Sequence, residues 1–364
     1  MLARLKFEIS GLVKEILDQV DPSVFQSPDK TFLDPAMGGG QFIFEIIKRL
    51  KEQGHSYDNI KPRVFGYESN ILYVNYVRER YLREFGEEIP ATLRVGGLEE
   101  LETLKMLFDL VLSNPPYNSP KTSGGGLTKN LYVPFIIRSF ELLKDGGILL
   151  MITPPGFLKT TVWGQSTPVF QKFQKYNTLK IVMKGISDYF NVGTPICYFI
   201  VEKIPSKGQT IIVSDDTMIQ DLSKFSFVPR IVSKNTFSII EKMTTPKENS
   251  VRFNILRDKN PSQSYVTFNA LNHVTNKRGS MKVEVASNGD LSYECENPEL
   301  VKFVLDSTLF SWVNYVLRYD TTIYHNFLSG FYYPKTLSVW TDQELYAHFG
   351  LTDEEIRYIE EQIK

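Results

Sequence analysis

The first strong pattern along the chain is "TFLDPAMGGGQFIFEIIKRLKEQG". An apolar strand end is followed by a glycine turn, and then by apolar residues spaced three and four apart, which is the period of a helix with one buried face. Gly54 is placed to stop that helix. "RVFGYESN" then predicts a short strand ending in an acid, followed by a polar, tyrosine-rich helix to about residue 85. "FDLVLSNPPY" predicts another strand, "LYVPFIIRSFELLKDGG" a helix closed by two glycines, and "GILLMITPPGFL" a buried strand. "LKIVMKGISDYFNVGTPICYFIVEK" predicts two strands around a loop, the second rich in β-branched and aromatic residues. Strands that alternate with helices in this way imply a parallel, doubly wound α/β sheet, here assigned to residues 1–204.

Beyond the turn-rich "KIPSKGQT" the alternation stops. Residues 205–340 hold short strand-like pieces ("QTIIVS", "SYVTFNAL", "MKVEVAS") between Asn, Gly and Lys turns, and predict a smaller mixed α+β domain. Residues 341–364 form a helical tail with two capping boxes, Thr341 with Glu344 and Thr352 with Glu355.

Composition adds limits. With 364 residues, 42% hydrophobic and 23% charged, the chain is of ordinary globular usage and is long enough for two domains. No apolar run approaches the roughly 18 residues of a membrane span, and no secretion signal is visible, so a cytoplasmic protein without a membrane partner is expected. The 2 cysteines, Cys197 and Cys295, support neither a disulfide framework nor a metal site. The net charge of −1 hides a local excess. Between 230 and 284, ten Lys and Arg face four acids, and Arg252, Arg257, Lys277 and Arg278 are candidates for an anionic partner.

Candidate chemistry sits at two predicted strand ends, where open parallel sheets hold ligands. In "DPAMGGGQF" the glycines let backbone approach a ligand, but their spacing is not that of a dinucleotide fingerprint. Asp34 at the head of the turn would repel a phosphate and suits a cation, such as the ammonium of S-adenosylmethionine. Glu68, ending the next strand, can accept both hydroxyls of a ribose. In "NPPY" the side-chain oxygen of Asn114 and the carbonyl of Pro115 can accept the two N–H bonds of a heteroaromatic amine, turning its lone pair toward an electrophilic methyl. Pro115 and Pro116 keep that turn stiff and free of competing donors, and Tyr117 offers a face on which a base can stack.

On these residues the chain resembles the S-adenosylmethionine-dependent adenine-specific (amino) DNA methyltransferases of the restriction-modification type, in which the cofactor motif, the NPPY motif and a C-terminal recognition domain follow in that order. "GGILLMITPPGFL", "FNVGTPICYFIVEK" and the carboxyl-terminal stretch are similar to later segments of the same family. The resemblance implies a Rossmann-like seven-stranded sheet whose last strand runs antiparallel, with double-stranded DNA as substrate and the target adenine flipped out of the duplex. It implies that Asp34, Pro35, Ala36, Gly38, Gly40, Phe42, Glu68 and Asn114 bind the cofactor, that Asn114 to Tyr117 are catalytic, and that Tyr117 and Phe190 hold the base. It also implies a DNA-recognition role for 205–340 and allows a cognate restriction endonuclease as partner. The chain departs from the family at Gly97, where an acid to meet the cofactor's adenine amine is expected; Glu99, Glu100 or backbone is left to replace it. A Thr-Pro pair near the amino terminus is missing as well.

Two alternatives stay open at this level. The same four residues serve methylases of a glutamine side chain in release factors, and of RNA, although the glutamine enzymes carry their extra domain before the catalytic one. A catalytically silent DNA-binding protein of this fold is the other.

Overall fold

A computed structural model describes residues 2–118, 130–160, 165–190, 195–255, 265–268, 283–285, 291–317 and 325–364. The chain divides into two compact units. The first comprises Met1–Pro155 and Lys172–Ile211, the second Gly156–Gln171 and Ile212–Lys364. The boundary thus falls at 211 instead of 204, and a stretch from inside the predicted first domain joins the second unit.

The first unit is built on a sheet. Strands β1 (Phe32–Asp34), β2 (Val64–Glu68), β3 (Leu93–Val95), β4 (Phe108–Ser113), β5 (Leu143–Thr153), β6 (Tyr176–Val182) and β7 (Cys197–Pro205) lie in the order β3-β2-β1-β4-β5-β7-β6. β1 to β5 are parallel, and β7 runs antiparallel to both β5 and β6. This is the expected Rossmann-like methyltransferase sheet with its antiparallel strand. The row has more strands than the expected seven, since the short β8 (Thr210–Val213), which starts at the end of this unit, extends it. The central strands are apolar on both faces, as helix-covered parallel strands must be: every residue of Phe108–Ser113 is buried.

Helix Gln41–Glu52 follows β1 and buries Phe42, Ile43, Phe44, Ile46, Ile47 and Leu50. Helix Ile71–Phe85 follows β2 and closes on Gly86 at φ 67°, a left-handed stop that glycine adopts without strain. Helix Tyr132–Glu141 ends before the glycine pair predicted to close it. Gly146, at φ 76°, instead serves an irregularity in β5, where pairing with β4 jumps from Phe108–Leu143 to Leu110–Ile148. Asp109, near the start of β4, binds Lys30 at 2.8 Å, Lys144 at 2.7 Å and the Thr31 amide at 2.9 Å. Burial alone would raise its pKa, but these donors outweigh that effect and hold the carboxyl at about 2.

The second unit is mixed α+β. Helices Lys234–Thr244, Pro298–Asp306, Thr308–Leu317, Asp342–Phe349 and Asp353–Ile363 supply its core around the fully buried Trp312. An antiparallel pair joins Ser250–Arg252 to Tyr332–Pro334, and a four-stranded antiparallel sheet contains Tyr265–Phe268 and Val283–Val285. The last two helices are part of this core and not a separate tail: Gln362 accepts from the Trp312 indole at 3.1 Å, and buried Glu355 accepts from Lys242 at 2.6 Å and Ser238 at 2.7 Å. The capping box of Thr352 with Glu355 is formed. At Thr341 it is half formed, since the Glu344 carboxylate accepts from Ser338 and Val339 instead. The early stretch Gly156–Gln171 is tied in by Val228 N donating to the Leu158 carbonyl at 3.0 Å and by the Ser166 hydroxyl donating to Ser226 O at 3.2 Å. Among the described residues no single helix is long and apolar enough to cross a membrane.

Candidate functional site

The strand order reverses between β1 and β4: the chain steps outward from β1 through β2 to β3, and in the other direction from β4 to β5. At such a switch the connections leave in opposite directions and open a crevice at the carboxyl ends. A cavity of about 770 Å³ lies there, lined by Pro35, Ala36, Gly38, Gly39, Glu68, Asn114 and Pro116, among others. Its size is that of a pocket for a small-molecule ligand.

The glycine turn is held from both sides. Gly38 N donates to Glu68 Oε2 at 3.0 Å and Asn70 N to Glu68 Oε1 at 2.8 Å, so this carboxylate links the loops after β1 and β2. Gly40, at φ 78°, caps the following helix. A Cβ at that position would lie 2.7 Å from the Phe44 ring, so both backbone and space demand glycine. Gly40 does not line the cavity, and Phe42 is buried in its helix.

Asp34 is 1% exposed and lies beneath the turn instead of on the cavity wall. Its Oδ1 accepts from the Ser113 hydroxyl at 2.8 Å and from Ala36 N at 3.1 Å. Burial pushes its carboxyl up to about 7, against the pull of those two donors and with a further push from Glu68.

In the second turn Asn114 and Pro116 face the cavity, whereas Pro115 is buried and Tyr117 half-buried outside the lining. The Tyr117 hydroxyl donates to Asn114 Oδ1 at 2.9 Å, and burial pushes its pKa above that of a free phenol. Leu131 N donates to Tyr117 O at 3.0 Å, and Asn118 bridges Asn130, so residues 117–118 and 130–131 are paired. Phe190 follows a short 3₁₀ turn, half-buried and away from the lining.

The cavity also takes in residues that sequence reasoning missed: Gln41, Ser69, Asn70, Leu72, Tyr73, Tyr76, Gly96 and Phe135. Those after β2 follow from the strand-end rule alone, and Tyr73 and Tyr76 share a helix face by their spacing. Gly97 lines the cavity too. Of the acids weighed to replace a side chain there, Glu100 accepts from Gly97 N at 2.6 Å and caps its own helix. Of the basic candidates, Arg252 is exposed, with its Nε donating to Ser329 O at 2.6 Å. Arg257, Lys277 and Arg278 lie outside the described residues.

Comparison with known proteins finds similarity at the level of family, sequence and structure. The family described as Eco57I restriction-modification methylase matches residues 45–189, a segment that includes Glu68 and the whole Asn114–Tyr117 turn. The Type II methyltransferase M.PaeR7I of Pseudomonas aeruginosa is 26% identical over 173 residues, a match covering 37% of this chain and 29% of that protein. Among solved structures, the EcoKI M protein of a type I restriction enzyme is 17% identical with a TM-score of 0.40, covering 51% of this chain and 45% of that one. The Type ISP restriction-modification enzyme LlaGI, solved with a DNA substrate mimic, is 14% identical with a TM-score of 0.46, covering 67% of this chain and 31% of that one. At these scores the assignment of the fold rests on the strand order itself. The matches span less than half the length of these relatives. The resemblance to restriction-modification methyltransferases read from the motifs is borne out.

Proposed function

We propose that this chain is a DNA methyltransferase of restriction-modification type that transfers the methyl group of S-adenosylmethionine to the exocyclic amino nitrogen of adenine in duplex DNA. The observation that carries the proposal is that Asn114 and Pro116 share one cavity with Gly38 and Glu68. The donor set fits the cofactor. Two carboxylates flank the glycine turn, which favours a cationic ligand over a phosphate, and the Gly38 and Gly39 backbone leaves room for close approach. When bound, S-adenosylmethionine supplies an electrophilic methyl carbon. Glu68 would hold its ribose, and Asp34 would favour its ammonium from below the turn.

In the proposed reaction Asn114 Oδ1 and the Pro115 carbonyl accept the two N–H bonds of the adenine amine. The nitrogen lone pair is thereby drawn out of the ring and aimed, by acceptors fixed before reaction. No side-chain base is required, because the proton is lost from an alkylated and more acidic nitrogen. Tyr117 and Phe190 would pack on the base once it has left the duplex, a requirement of chemistry on a base atom. The second unit, with exposed Arg252, would recognise the target sequence.

Transfer of radiolabelled methyl from the cofactor to duplex DNA, with loss of adenine-specific modification from the product when Asn114 is replaced, is the expected result. Label appearing in RNA or in a release factor but never in DNA would overturn the proposal in favour of those substrates. Cofactor binding without transfer to any of the three would mean a silent protein of this fold.

A further inference from the structure

Ser113 is the last residue of β4 and is 0% exposed. A hydroxyl so placed needs a partner within the protein. Strand register provides it: Leu33 of β1 lies opposite Val111 of β4, so both strands reach their ends side by side. The Ser113 hydroxyl donates to Asp34 Oδ1 at 2.8 Å, and the same oxygen accepts from Ala36 N at 3.1 Å, closing the start of the glycine turn. One carboxylate oxygen therefore joins the residue before Asn114 to the loop that lines the opposite side of the cavity.

We propose that Ser113 is a positioning residue: by fixing the Asp34 carboxylate it couples the glycine turn that receives the cofactor to the turn that receives the target amine. The inference rests on the functional reading above and adds to it a residue that makes no contact with either ligand.

The coupling has a signature in pH. Asp34 is buried, and the charged group that faces it among the described residues is Glu68, from the end of β2, which disfavours ionisation. The Ser113 hydroxyl and the Ala36 amide favour the ionised form. Removing the hydroxyl leaves the carboxylate one donor fewer, so protonation extends to higher pH. A ligand ammonium is favoured by ionised Asp34, and its affinity therefore falls as pH drops through the titration of that group.

The test is calorimetric titration of the full chain with S-adenosylhomocysteine, which bears the same ammonium, across roughly pH 6 to 9. Ser113→Ala is expected to bind several-fold more weakly than the wild-type chain near neutral pH and to recover at the alkaline end, because losing this donor raises the pH at which Asp34 ionises. Ser113→Cys, of similar volume and with a weaker donor, should fall between them and keeps the test available if the alanine variant does not fold. In an Asp34→Asn background, Ser113→Ala should change affinity by less than about twofold. A loss that is equal at every pH, or undiminished in the Asp34→Asn background, overturns the coupling while leaving the functional reading intact. Failure of the wild-type chain to take up S-adenosylhomocysteine at any pH removes the functional reading and the inference together.

Discussion

The Tyr117 hydroxyl donates a 2.9 Å hydrogen bond to the side-chain oxygen of Asn114. The acceptor required by the proposed reaction thus has one of its two lone pairs engaged within its own turn, and an incoming amine must take the other or displace the phenol. Tyr117→Phe keeps the ring and frees that oxygen, so affinity for DNA with an unpaired target base should stay within a few-fold of wild type. Tyr117→Ala removes the stacking face and should weaken binding by about 1–3 kcal/mol. Fluorescence anisotropy with a labelled duplex measures both. Equal losses in the two variants would show that the hydroxyl, and not the ring, holds the base.

Asn114→Ala removes an acceptor without touching the glycine turn. Methyl transfer should drop by at least about 10²-fold, as for loss of one preorganised hydrogen-bonding group, while cofactor affinity changes little. Single-turnover transfer and calorimetry separate the two quantities, and loss of cofactor binding would mean that the roles of the two turns are misassigned.

Asp34 should leave a mark on stability. Its carboxyl is at about 7 in the folded chain against an ordinary 3.8, because burial dominates. The folded state therefore holds a proton that the unfolded state has lost, and the contribution of this group to stability falls as pH rises from about 4 to about 7. Asp34→Asn cannot titrate. Urea midpoints at acid and alkaline pH should show the wild-type chain losing ground to the variant as pH rises; a constant difference would mean that Asp34 titrates normally.

Gly40→Ala tests the turn itself. The backbone at φ 78° and the Phe44 ring 2.7 Å from the added carbon both oppose a side chain. A loss of about 1–3 kcal/mol is expected by chemical denaturation, with weaker cofactor binding. Unchanged stability would imply that the turn relaxes freely.

Much of the first unit is legible in the sequence, because apolar runs alternate with amphipathic helices and the two turns sit at strand ends. Helix Tyr132–Glu141 shows where that reading stops. Its glycine pair looks like a helix end, yet Gly146 shapes an irregularity in β5 that only the partner strand β4 reveals. Ser113 is equally silent: one serine at the end of "FDLVLS" has no local signal, and its importance comes from Asp34 on a strand 79 residues away in sequence. By sequence Asp34 faces a ligand, and burial places it underneath instead. Helices Asp342–Phe349 and Asp353–Ile363 look like a tail by their caps and become core through contacts with Trp312 and Lys242.

The polypeptide passes between its two units three times, at 155/156, 171/172 and 211/212. No single break in the gene separates them cleanly. A recombinant that grafts a foreign sequence from residue 212 onward would retain the native Gly156–Gln171, whose Leu158 carbonyl and Ser166 hydroxyl are matched to Val228 and Ser226. Exchanging the second unit between relatives would therefore require moving two non-adjacent pieces of coding sequence together.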